Sequence, residues 1–171
     1  MKDRILHAAT RVLVQHGLNG WTVDEVARKA GCAKGLVNYH YRSKQHLLER
    51  VAEQLRDDRW ACRISRAGGP EPLDKLWQTL IDEAESGRFS AWLSLLTGEG
   101  RLRNAGRTPE RQAESLCRVL GQSLGLGDQL TGHAGLVAAM LDGITIRLLE
   151  GVEPASLEEG YHRFWLTLLD M

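Results

Sequence analysis

Apolar residues recur at intervals of three and four along nearly the whole chain and nowhere alternate long enough to suggest a strand, so the pattern predicts an all-α fold. The first stripe, Ile5, Leu6, Ala9, Val12 and Leu13, predicts a helix from about Asp3 to Gln15, with Gly17 just past its end. Thr22 and Glu25 have the spacing of a capping box, in which the hydroxyl takes one orphan amide and the carboxylate reaches back. A second helix therefore starts at Val23, packs through Val26, Ala27 and Ala30, and ends at Gly31, where a left-handed residue is needed. Trp21, just before the cap, is placed as a hydrophobic staple. A third short helix, Lys34 to about Tyr39, turns Leu36 and Val37 inward and Lys34, Asn38, Tyr39 and His40 outward. Ser43 caps a fourth, carried by Leu47, Leu48, Val51, Ala52 and Leu55, which should end near Arg66 before Gly68, Gly69, Pro70 and Pro72.

Beyond that break the period stays helical. Leu73, Leu76, Trp77, Leu80, Ile81 and Ala84 form one stripe ending near Gly87, and Phe89, Trp92, Leu93, Leu95 and Leu96 form a shorter one, broken around Gly98, Gly100 and Gly106. Thr108 and Pro109 read as cap and first turn of a helix on Leu116, Val119, Leu120 and Leu124, closed by Gly125 and Gly127. From Ala134 to Leu149 the chain is apolar nearly all round, interrupted only by Asp142, Thr145 and Arg147. Ser156 and Glu159 read as another capping box, opening a last helix on Leu157, Tyr161, Phe164, Trp165, Leu168 and Leu169. A helix apolar on every side needs partners on two sides. A chain of this size has too little remaining surface to cover both, so these two helices are expected to pair with their copies in a second subunit, through Leu141, Ile144, Leu148, Tyr161, Phe164, Trp165 and Leu168. Gly135, Ala138, Ala139 and Gly143 are small enough for close approach; the other reading is that both helices are internal core.

At 171 residues, 43% hydrophobic and 26% charged, the chain has an ordinary globular composition and zero net charge. The distribution changes the picture: residues 1 to 50 carry nine Lys or Arg against four acids, a surplus of five that the remainder cancels. A basic head on an acidic body suits a protein that meets phosphates at one end only. Two short helices joined by a tight glycine-containing turn form the helix-turn-helix unit, whose second helix enters the DNA major groove. On its outward face Lys34 supplies charge, Asn38 can bond a base edge, Tyr39 and His40 can reach phosphates, and Gly35 permits close approach by DNA or by another helix. A helical pair with a purely structural role has the same spacing.

Thr22, Val26-Ala27, Ala30-Gly31, Gly35, Tyr39-His40-Tyr41, Ser43-Lys44 and Leu47-Leu48 together resemble the N-terminal signature of TetR-family transcriptional regulators. The resemblance is tight over roughly the first fifty residues and rests on general layout thereafter. It implies a three-helix DNA-binding domain over residues 1–46 and a helical effector-binding and dimerisation domain over 47–171, in a homodimeric regulator, usually a repressor, released from a palindromic operator by a small molecule. It also implies that Thr22 and Lys44 meet phosphates at helix N-termini, that Lys34 and Tyr39 hold the backbone, and that Asn38 faces the bases. Three positions depart from the family pattern: Ala33 stands where a serine or threonine usually caps the recognition helix, a loss of about 1 kcal/mol, Asn38 replaces a commoner tyrosine, and Tyr41 a commoner phenylalanine. The fourth helix becomes the mechanical link between DNA and effector. The resemblance further suggests an effector cavity lined by Trp60, Trp77, Trp92, Leu96 and Leu116, where aromatics would stack on a flat apolar ligand; tryptophan is also ordinary core filler. A body that binds a protein partner instead of a small molecule is the alternative.

Nothing in the sequence asks for catalysis. The six histidines are scattered, and no metalloprotease, nucleophile-elbow or phosphate-loop motif occurs. Asp82, Glu83 and Glu85 are expected on a solvated face. Cys32, Cys62 and Cys117 have no zinc spacing, so neither metal nor cofactor is expected, and they should stay reduced in a cytosol. With no signal peptide and no stretch near the ~20 apolar residues of a span, the expectation is a cytoplasmic protein with no membrane partner.

Overall fold

A computed structural model of the chain describes residues 1–97 and 110–170. Among these the fold is all-α: α1 Lys2–His16, α2 Val23–Ala30, α3 Lys34–Tyr41, α4 Lys44–Arg66, α5 Pro72–Glu85, α6 Arg88–Thr97, α7 Glu110–Ser123, α8 Ala134–Leu149 and α9 Pro154–Leu169, with a 3-10 turn at Gln129–His133 before α8. The expected break at Gly98, Gly100 and Gly106 and the cap at Thr108 and Pro109 lie outside the described residues.

Packing divides the chain into two compact units. The first takes Met1–Asp58 and α6; the second takes Arg59–Ser86 and α7 to α9, so α4 contributes to both. In the first, Ile5, Ala9, Val12 and Leu13 of α1 are fully buried with Val26, Val37 and Val51. Trp21 is 1% exposed and donates from Nε1 to the Ala9 carbonyl at 2.9 Å, satisfying the one polar atom of a large buried ring. Arg88 pairs with Asp58 at 2.5 Å. In the second unit Trp60, Leu76, Trp77, Leu80, Leu116, Leu120, Val137, Leu141, Tyr161 and Trp165 share one core. The Tyr161 hydroxyl donates to the Leu73 carbonyl at 2.7 Å, and burial raises its pKa. Gly121 in α7 lets the following turn fold back: a Cβ there would lie 2.0 Å from the Gly127 carbonyl oxygen.

Both capping boxes need correction. Thr22 Oγ1 accepts from the Glu25 amide at 3.1 Å, but the Glu25 carboxylate turns to Arg28 rather than back to the cap. α9 begins at Pro154, two residues before the expected cap, because proline fits the first helical position. Ser156 therefore donates to the Glu153 carbonyl, and Glu159 pairs with Arg163. The acidic run of α5 is also corrected. Asp82 and Glu85 are exposed, whereas the Glu83 side chain, 9% exposed, is turned onto Arg63.

One helical run, Gln129–Leu149, is long and apolar enough to cross a membrane by length and composition, with mean hydropathy 1.3, contrary to the expectation that no stretch came close. The 3-10 turn and α8 together make up that length. Within it Leu130, Ala134, Val137, Leu141 and Thr145 are buried, and Asp142 pairs with Arg63.

Candidate nucleic-acid interface

The turn between α2 and α3 is set by Gly31, which is left-handed at φ 61° and ψ 46°. The Cys32 amide bonds the Ala27 carbonyl at 3.0 Å, and Arg4 donates from Nη2 to the Gly31 carbonyl at 3.0 Å, so α1 holds the turn from behind. Ala33 provides no side-chain cap for α3, as its methyl group dictates. The helix is instead anchored by its buried face, Val37 and Tyr41, whose hydroxyl donates to the Lys2 carbonyl at 3.0 Å. α3 runs two residues beyond the expected Tyr39. That anchoring leaves Lys34, Gly35, Asn38 and Tyr39 exposed, Tyr39 at 80%, with His40 half-buried and its ring edge-on to Tyr39 at 5.3 Å. A Cβ on Gly35 would meet nothing within 4 Å, so no neighbouring helix needs that glycine.

The two flanking helix starts also face outward. Thr22 is exposed beside an open trough of about 460 Å³ bordered by His16, Gly20 and Glu25, and the first-turn amides of a helix can donate to an anion. Ser43 caps α4 by accepting from the His46 amide at 3.1 Å, placing Lys44 in the first turn with its ammonium 5.6 Å from the Trp21 ring centre. Between α3 and α4, Arg42 adopts φ 58°, an uncommon conformation for a residue with a side chain, and is exposed. Sequence reasoning counted its charge but missed its place at the corner between the recognition helix and α4. Asp24 was missed too: its Oδ2 lies 2.8 Å from Lys34 Nζ. Among the described residues no group of three His, Cys, Asp or Glu could hold a metal ion.

The residues expected at an effector site come from both units. Trp60, Trp77 and Leu116 share the core of the second unit; Trp92, buried against Phe89, and half-buried Leu96 belong to the first. The residues expected at a subunit seam divide between the core of the second unit and its margin. Leu141, Tyr161, Trp165 and Leu168 are buried in the core of their own unit, and Ile144, Leu148 and Phe164 pack partly against it. The large apolar side chains that α8 and α9 leave exposed are Leu136 at 55% and Leu166 at 64%.

The second unit also holds an ionic cluster that periodicity could not reveal. Arg63 is fully buried; Nε and Nη2 donate to the two oxygens of Glu83 at 2.8 and 2.7 Å, and Nη1 donates to Asp142 at 2.8 Å. Arg59 reaches the same Asp142 at 3.3 Å, and the Arg63 guanidinium lies 5.1 Å from the Trp60 ring centre. Burial opposes the Arg63 charge, but Glu83 and then Asp142 outweigh it and hold the guanidinium above its ordinary pKa. Burial raises the Glu83 pKa above the usual carboxylate range, with Arg63 pulling the other way.

A braced helix-turn-helix with an exposed Lys/Asn/Tyr face, on an all-helical chain, defines a DNA-binding transcriptional regulator. Residues 5–51 match the family described as bacterial regulatory proteins, tetR family. Over these residues the chain carries the N-terminal domain of TetR-family transcriptional regulators. It is 25% identical over 171 positions to the HTH-type transcriptional regulator BetI of Proteus mirabilis (strain HI4320), covering 92% of this chain and 84% of BetI. BetI of Burkholderia mallei (strain NCTC 10229) is 27% identical over 164 positions, covering 90% and 84%. Among solved structures, a transcriptional regulator from Rhodococcus sp. Rha1 superposes with TM-score 0.66 at 24% identity over 98% of this chain and 93% of that one. The multidrug binding protein EbrR superposes with TM-score 0.59 at 17% identity, over 98% and 96%, in a complex with malachite green.

Proposed function

We propose that the chain acts as a homodimeric repressor that binds a near-palindromic operator and is released by a small apolar or aromatic ligand, with residues 1–46 reading DNA and 47–171 carrying the effector site and subunit seam. The observation that carries the DNA half is α3: Val37 and Tyr41 anchor one face while Lys34, Asn38 and Tyr39 stand in solvent on the other. Thr22 and Lys44 serve as phosphate contacts at helix starts, Lys34, Tyr39 and His40 hold the backbone, Gly35 lets it come close, and Asn38 meets a base edge. Two copies of α3 about one helical turn apart, roughly 34–36 Å, would occupy successive major grooves. Exposed Leu136 and Leu166 support a seam along α8 and α9, joined by the half-buried Ile144, Leu148 and Phe164.

Selection of sites from random DNA tests the reading, followed by titration of variants on the selected duplex. Lys44→Ala or Tyr39→Ala should weaken binding to every sequence and lower its salt dependence, whereas Asn38→Ala should relax preference at one base position. The reverse pattern would overturn the assignment of roles. The ligand half draws on EbrR, a multidrug binding protein of the same fold in a complex with malachite green. A thermal-shift screen of apolar and aromatic compounds tests it, because a ligand that binds only the folded state raises the melting temperature. Uniform silence in that screen would favour a protein partner for the second domain.

A further inference from the structure

Lys34 opens the recognition helix, yet its ammonium does not stand free. Nζ lies 2.8 Å from Oδ2 of Asp24, in the first turn of α2, with side chains 56% and 69% exposed. The neighbouring cations are engaged elsewhere: Arg28 by Glu25, Lys29 by the Gln15 side-chain oxygen at 3.1 Å, and Lys44 over the Trp21 ring. Asp24 is thus the carboxylate that meets the charge of α3 directly. It stands on the surface offered to phosphates, which it repels, and Lys34 can neutralise a phosphate only by leaving it.

On the DNA-binding reading above, we propose that Asp24 restrains non-specific DNA binding by holding the Lys34 ammonium in an ion pair, which only a duplex whose other contacts set a phosphate against α3 can replace. The exchange needs rotation of the long, exposed Lys34 side chain and no backbone movement. Because the pair is solvated, salt screens it, and the restraint is strongest in dilute buffer.

The test compares full-length wild type, Asp24→Asn, Lys34→Gln and the double variant, each titrated into an end-labelled mixed-sequence duplex over a range of salt concentrations. Asp24→Asn should bind more tightly than wild type by up to about fivefold per subunit in dilute buffer, the range open to an exposed pair. The gain should shrink as salt rises, and it should be clearly smaller when Lys34 is already Gln, where only the repulsion between Asp24 and phosphate is left to relieve. An Asp24→Ser variant, which removes the same charge with a different side chain, should reproduce the gain, and melting curves should show each variant folded. An equal gain in both Lys34 backgrounds overturns the proposal, because Asp24 would then act as bulk charge. So does no gain at all, or a gain with Asn and not with Ser. Wild type that ignores every duplex in dilute buffer would instead refute the DNA-binding reading itself.

Discussion

Glu83→Ala strips a fully buried cation of one of its two carboxylates. It deletes both hydrogen bonds on one edge of Arg63, at 2.7 and 2.8 Å, and leaves Asp142 to face Arg63 at 2.8 Å and Arg59 at 3.3 Å. Two guanidinium groups then share one carboxylate. Removing one partner of a buried pair costs about 3–5 kcal/mol, since the surviving charge stays out of water. That is a large part of the roughly 5–15 kcal/mol by which a domain is stable. Because the Glu83 side chain is only 9% exposed but Asp142 still faces Arg63, the cost should fall at the low end of that range, about 3 kcal/mol; Asp142, at 25%, lets water stand in, so Asp142→Ala should cost less, about 1–3 kcal/mol. Arg63→Met combined with Glu83→Leu removes charge and partner together, keeps comparable volume and leaves the Arg59–Asp142 pair in place. That double variant should fall within about 1 kcal/mol of wild type. Urea denaturation followed by tryptophan fluorescence reads the difference, with protomer concentration held constant because association adds stability. If Glu83→Ala costs under about 1 kcal/mol, or the double variant costs as much as the single, ion pairing does not hold Arg63 and the reasoning fails.

Gly31→Ala should destabilise the first unit by roughly 1–2 kcal/mol, since φ is 61° and only backbone conformation opposes the methyl group, whose nearest neighbour would be Arg4 Nη2 at 3.7 Å; melting curves check this. Leu136→Glu with Leu166→Glu should leave the protomer folded and weaken self-association by at least roughly a hundredfold, read by sedimentation, because a two-fold seam counts each loss twice. Burial pushes the Cys117 thiol up to about 11 from an ordinary 9.0, so it should resist a thiol reagent at neutral pH until the protein unfolds, while exposed Cys62 reacts at once. A raised thiol pKa stabilises the protonated native form, so this contribution is intact below about pH 9 and is lost as pH climbs toward 11, which denaturation at stepped pH would reveal.

The order of helices, the cap at Thr22, the left-handed Gly31 and the outward face of α3 were all legible in the sequence, because each follows from residues within about one helical turn of one another. Where reasoning along the chain failed, a distant partner decided the outcome. Glu83 looked like part of a solvated acidic face until Arg63, twenty positions away, took its carboxylate, and Asp142 joined the same guanidinium from seventy-nine positions away. Asp24 and Lys34 are ten apart and meet only because the Gly31 turn brings α3 across α2. Tyr161, Trp165 and Leu168 repeat at helical spacing, which reveals that α9 has an apolar face but not whether a second subunit or its own core covers it. Local sequence determined which segments are helical and where they stop. Only the tertiary fold decided which charges are paired and which apolar faces remain open, because both depend on what chain-distant elements bring within contact range.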